Sequence, residues 1–254
     1  MSFTAALLVV VTLAFPSAPA GPRTTVVSYG TQSMDVLPGA SGRRPGIFLV
    51  HGGWWSEGDK SALAAVAARF ADLGYAVFNL NYRLSGAARW PAQRDDTLRA
   101  VAYARRHAAR FRFDPGRYAL VGFSAGGHIA ASAAVHRSGP RGLRGVLAFS
   151  PVTSPHLAFD AGGRLGRSAV ALAGCRPRRC PWVWRSMEVA AHAGPGSPPM
   201  VFYHSAREFV PPEHSLPLQP FAEVRVVPGT AHSTRLYGRP SVARSAEEWL
   251  ASIM

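Results

Sequence analysis

Short, unbroken apolar runs separated by segments of helical period limit this chain more than any other feature of its sequence. Residues 46–50, 75–80, 118–121, 145–149, 200–203 and 223–227 read as strands, several of them with no polar residue. A strand wetted on one face alternates apolar and polar side chains, whereas a strand apolar throughout is covered on both faces. Between the runs, 61–73, 94–111, 125–136 and 241–253 have helical length and apolar spacing, and Gly74 supplies a stop after the first. Strands alternating with helices predict an α/β architecture: a doubly wound, mostly parallel sheet flanked by helices. With 254 residues, 48% of them hydrophobic, the chain can bury such a sheet in one domain without metals or many disulfides.

Two stretches depart from that rhythm. Residues 1–20 combine an apolar run from Ala5 to Phe15 with a small-residue A-x-A site ending at Ala20, the pattern of a cleaved secretory leader, although no Lys or Arg precedes Ala5. The run is too short for a stable membrane span. Secretion or a cell-surface location is therefore expected, with a single domain over 21–254. Residues 153–199 are the least regular, rich in Gly and Pro and holding Trp182, Trp184 and both cysteines. This segment reads as a short cap insertion over the site. Cys175 and Cys180 enclose only four residues, and in an exported chain they form one local disulfide rather than a metal or redox site.

The formal charge of +14 rests almost wholly on arginine, Lys60 being the one lysine. These arginines are scattered, with no basic run interleaved with aromatics, so the charge reads as a solvated basic surface and not as a nucleic-acid platform.

Three segments carry chemistry. Gly122-Phe123-Ser124-Ala125-Gly126 follows one strand and precedes a helix. Glycines at its first and fifth positions permit a sharp turn that lifts Ser124 out of the sheet as a nucleophile. His51-Gly52-Gly53-Trp54-Trp55 follows another strand, and N–H groups around Gly53 and Trp54, with that of Ala125, would form an oxyanion hole. Here His51 reads as a loop organiser, and Trp55 as a substrate contact. Gly229-Thr230-Ala231-His232 follows the last strand and offers His232 as general base, late in chain order as such a base should be.

From about Val27 onward the chain resembles α/β-hydrolase esterases related to hormone-sensitive lipase and to acetyl-xylan or feruloyl esterases. The resemblance rests on residues 51–60, on Asn81-Tyr82-Arg83-Leu84, on 91–96, on Asp114-Pro115 and on Ser124-Ala125-Gly126-Gly127-His128. It implies the α/β-hydrolase fold, hydrolysis of a small-molecule carboxylic ester, and no metal or cofactor. His51-Gly52-Gly53-Trp54-Trp55 also fits the H-G-G-x-W pattern of kynurenine formamidases, which cleave an N-formyl amide.

The third triad member departs from the pattern. In the esterases an Asp stands in a segment resembling H-G-x-x-D-x-x-V-P; here the segment is His204-Ser205-Ala206-Arg207-Glu208-Phe209-Val210-Pro211. Alignment on Val210-Pro211 puts Arg207 at the acid position, and alignment on His204 puts Glu208 there. Glu208 is the choice, with Asp160 and Glu213 behind it. Without a carboxylate on His232 the chain would be a weakened hydrolase or a binding protein.

Overall fold

The computed structural model describes residues 24–254; the leader expected over 1–20 lies outside them. The described strands form one sheet in the order β1-β2-β4-β3-β5-β6-β7-β8. They are β1 (Thr25–Tyr29), β2 (Gln32–Leu37), β3 (Arg44–Val50), β4 (Ala76–Leu80), β5 (Phe113–Phe123), β6 (Leu143–Phe149), β7 (Met200–Ser205) and β8 (Glu223–Val227). From β4 to β8 neighbours run parallel; β1 and β2 join antiparallel at one edge.

The pleat divides the apolar runs between two cores. Phe48 and Val50 of β3 face one side with Phe78 and Leu120, while Ile47 and Leu49 face the other with Val77 and Val121. On the first side lie α2 (Ala92–Arg106) and α3 (Ala125–Val135). All eleven residues of α3 are buried, and its Gly and Ala content is what lets the sheet, α2 and the cap close on it together. The second side is covered by α1 (Ala64–Asp72) and by a C-terminal helix, Pro240–Ile253, whose Val242, Ala246 and Leu250 recur at helical spacing.

The parallel sheet is as expected, and three local expectations change. The β1–β2 hairpin was not foreseen: it turns at Gly30 (φ 67°), and exposed positions such as Val26 dilute its apolar pattern. Strand β5 begins at Phe113, five residues early, because Asp114-Pro115-Gly116 is absorbed where its register to β3 shifts. The segment expected to be irregular is largely helical, with α4 (Pro155–Asp160), α5 (Gly163–Ala173) and α6 (Pro181–Met187). Its helices are hard to read because α4 and α6 are only six and seven residues long and α5 is bounded by Gly162 and Gly174. Ser154 caps α4 by accepting the N–H of Leu157, and Gly174 ends α5 in the left-handed region (φ 79°).

Cys175 and Cys180 are joined as a disulfide, with Cα atoms 6.3 Å apart, and the buried Trp184 indole donates to the Cys175 carbonyl from below (2.9 Å). Replacing both cysteines by alanine is expected to lower unfolding free energy by about 2 kcal/mol through restored loop entropy, read from urea midpoints. An unchanged midpoint would show that the loop is held by Trp184 alone.

Candidate active site

The strand-to-helix turn at Ser124 is built as the spacing of its glycines demands. Ser124 has φ 53°, a region that favours glycine, and its N–H donates to Phe149 O (2.9 Å) while its carbonyl accepts from Gly127 N (2.9 Å). A methyl group at Gly126 would collide with the carbonyl oxygens of Val50 and His51, and one at Gly122 with Gly126 O. The helix can therefore start hard against the ends of β3 and β5, leaving Ser124 partly exposed at the carboxyl edge of the sheet. Ala125 is the first residue of α3, and its N–H is one of those an α-helix leaves without an internal acceptor.

The His51–Trp55 loop sits against this turn. A Cβ on Gly52 would lie 2.9 Å from Phe123 O and 3.3 Å from Ser124 Cβ. Gly53 (φ 114°), Trp54 (φ 56°) and Trp55 (φ 59°) are all left-handed, and the Gly53 carbonyl accepts from Ser56 N and Glu57 N (3.0 and 2.9 Å). Three successive residues in that region make a sharp turn directly after the strand. His51 is buried, its ring stacked on Tyr82 (4.3 Å between centroids) and its carbonyl accepting the Tyr82 hydroxyl (2.9 Å).

Trp55 corrects an expectation. It is 0% exposed, and its indole N–H donates to His128 Nδ1 (3.1 Å), so it braces α3 and touches no substrate. Because His128 Nδ1 accepts, its Nε2 carries the proton and donates to Met187 O (2.8 Å). Burial holds the pKa of this neutral imidazole down, to about 4. Trp54, half-buried, does border the site: it stacks on Phe209 (5.3 Å), which packs on the His232 ring (4.2 Å).

Glu208 and His232 meet. His232 Nδ1 lies 2.5 Å from Glu208 Oε2, and the other carboxylate oxygen accepts from Ser150 Oγ (2.9 Å) and Ser205 N (2.8 Å). The Glu208 side chain is fully buried and that of His232 is 22% exposed. Both oxygens of this buried carboxylate thus have hydrogen-bond partners. Arg207 is exposed, its N–H tied to Gly229 O (3.0 Å). Asp160 lies instead on the cap beside Arg176, and Glu213 belongs to the turn Pro212–His214; neither is the His232 partner.

Ser150 and Phe209 are site residues the sequence did not single out. Ser150 (φ 52°) follows β6, and its hydroxyl both donates to Glu208 and accepts the N–H of Ser233 (3.0 Å), joining the acid to the base loop. Its one signal is its place: like Ser124, it directly follows a core strand. A serine, an imidazole oriented by a buried carboxylate, and N–H groups at a helix start together suit acyl transfer. Among the described residues no group of three or more His, Cys, Asp or Glu could hold a metal ion.

Residues 34–146 match the BD-FAE family model. A probable carboxylic ester hydrolase, LipM, of Mycobacterium tuberculosis is 35% identical over 102 residues, which are 40% of this chain and 24% of that protein. The versiconal hemiacetal acetate esterase of Dothistroma septosporum is 34% identical over 125 residues, 46% of this chain and 38% of that one. The matching segment thus spans about a quarter to two fifths of these relatives' length. Among solved structures, an acetyl ester-xyloside bifunctional hydrolase from Caldicellulosiruptor lactoaceticus superposes with TM-score 0.77 at 21% identity, over 93% of this chain and 98% of that one. A truncated carbohydrate esterase from gut microbiota gives 0.80 at 21%, over 92% and 98%.

Two buried histidines near the site give folding a pH dependence. Burial lowers the pKa of His128 and of His214 from 6.5 to about 4, so the unfolded chain takes up protons in that window that the folded chain refuses. Stability is therefore full above pH 6.5 and falls as the pH drops toward 4, with a slope approaching about 1.4 kcal/mol per pH unit for each proton of difference. Urea midpoints measured across this window should decline on acidification, and His214→Gln should flatten the decline; a flat wild-type profile would contradict the assignment.

Proposed function

We propose, for a chain whose fold is that of the α/β-hydrolase esterases, that it hydrolyses small-molecule carboxylic esters through an acyl-enzyme on Ser124. The observation that carries the reading is the contact of Glu208 with His232 Nδ1, in a chain that also holds Ser124 on a strained strand-to-helix turn. With Nδ1 donating to Glu208, His232 presents Nε2 as the base.

Ser124 Oγ attacks the ester carbonyl carbon as its proton passes to His232 Nε2. The carbonyl oxygen gains the negative charge and is met by N–H groups around Gly53, Trp54 and Ala125. The tetrahedral species collapses, His232 gives its proton to the departing alkoxide, and the acyl group remains on Ser124. Water, deprotonated by His232, then attacks the acyl carbon; the bond from that carbon to Ser124 Oγ breaks, His232 returns the proton to Oγ, and the acid is released. Glu208 stays ionised and stabilises the imidazolium in both halves. The relatives' names, which include acetate and carbohydrate esterases, support an ester substrate. The contact of Glu208 with His232 supports the ester reading over the binding-protein alternative. Export is part of the same proposal, supported by the leader pattern and by the disulfide.

The test is release of p-nitrophenol from its acetate and butyrate. Ser124→Ala should abolish turnover, and Glu208→Gln should lower kcat by about four orders of magnitude, as loss of the orienting carboxylate does elsewhere. Equal rates for wild type and Ser124→Ala would overturn the reading, and faster cleavage of formylkynurenine than of either ester would favour the amide reaction. Ser150→Ala removes one hydrogen bond to a buried charge and is expected to lower kcat by roughly 10- to 100-fold with KM little changed, since such a bond contributes about 1.5–3 kcal/mol. An unaltered kcat would show that Ser205 N and His232 fix the carboxylate unaided.

A further inference from the structure

Six arginines lie in residues 153–199 against two acids, Asp160 and Glu188. Glu188 is turned inward to His156, whose Nδ1 lies 2.9 Å from Glu188 Oε1. Arg164 pairs with Glu57, but among the described residues Arg176, Arg178, Arg179 and Arg185 have no carboxylate within 4.0 Å. All four are exposed. Three of them sit in the six-residue ring closed by Cys175–Cys180, so their backbone is held in place before anything binds.

These guanidinium groups flank two apolar features. One is a groove of about 530 Å³ between α4 and the ring, lined by Phe159, Pro177, Arg176, Arg178 and Arg179, with Asp160 as its one carboxylate. The other is Trp182, 70% exposed, the most exposed large apolar side chain described. Two residues on, Trp184 is fully buried and anchored to Cys175 O, so α6 is pinned from below and holds Trp182 outward. Arg185 is three residues beyond Trp182 and shares its side of the helix. An exposed indole costs free energy in water, and an indole on the same short stretch as four exposed arginines suits the boundary between anionic headgroups and acyl chains.

We propose that this face of the cap docks on anionic phospholipid surfaces, with lipid phosphates seated among Arg176, Arg178 and Arg179 and the Trp182 ring inserted at the headgroup level. No residue of the Ser124 site takes part, so the inference stands or falls independently of the ester chemistry. Charge complementarity selects a polyanion, and Trp182 selects a lipid over a soluble one.

The test is sedimentation of the full chain with vesicles of phosphatidylglycerol and phosphatidylcholine in about equal parts, at about 0.1 M salt. Wild type should bind these and not phosphatidylcholine alone. Arg178→Gln/Arg179→Gln should weaken binding about 25-fold, roughly fivefold for each guanidinium at an anionic surface, and Trp182→Ala should weaken it about threefold or more. The charge-matched control Arg141→Gln/Arg144→Gln alters exposed arginines at the opening of β6, the opposite end of the sheet, and should lose less than about threefold. Circular dichroism checks that each variant is folded. Equal losses in the two double variants would overturn the proposal by reducing it to net charge. Binding to dextran sulfate as tight as to vesicles, with Trp182→Ala silent, would overturn it in favour of a soluble polyanion.

Discussion

Everything at the site depends on how closely the first turn of α3 packs against the end of β3. Gly126 lies against the carbonyls of Val50 and His51, and Gly122 against Gly126 itself, with no space for a methyl group at either. That contact lets the chain reverse from strand to helix within two residues. It holds Ser124 at a positive φ and sets Gly52 so near that a Cβ there would lie 3.3 Å from the Ser124 Cβ. A side chain at Gly126 would separate Ser124 from the His51–Trp55 loop, because the two are built from the ends of neighbouring parallel strands.

Glu208 is held by a second set of contacts after β7, two strands along from β5 at the same edge of the sheet. Glu208 reaches His232 from the loop after β7, and its buried carboxylate is satisfied by one imidazole, one hydroxyl and one backbone N–H. Ser150 extends the arrangement into the base loop through Ser233 N. The loop leaves Arg207 exposed and turns Glu208, one position later, inward so that its Oε2 meets the imidazole Nδ1 of His232.

How much of this was legible follows from what each feature depends on. The core strands declared themselves because full burial removes the polar alternation that obscures other strands, and the glycines of the Ser124 turn because sterics leave no substitute. The β1–β2 hairpin was hidden by its exposed face, α4 and α6 by their shortness, and α5 by its bounding glycines. Trp55 was misread because tryptophan serves equally as core and as wall; only its burial against His128 separates the two. Ser150 was invisible because its role exists only when three loops, distant in sequence, converge. Glu208 could be named from its spacing to His204, yet the competing spacing to Val210-Pro211 could be rejected only with the hydrogen bond in view.

The cap helices tie onto both segments around Ser124: Arg164 of α5 reaches Glu57, just after the His51–Trp55 loop (2.6 Å), and Met187 O of α6 accepts from His128 of α3 (2.8 Å). The central claim remains that Ser124 is activated by His232 and Glu208. Intact-protein and peptide mass spectrometry after brief exposure to a fluorophosphonate tests it most directly. One adduct per chain on Ser124, formed far more slowly in Glu208→Gln, is the expected result; no adduct on folded protein, or equal labelling rates in the two proteins, would contradict it.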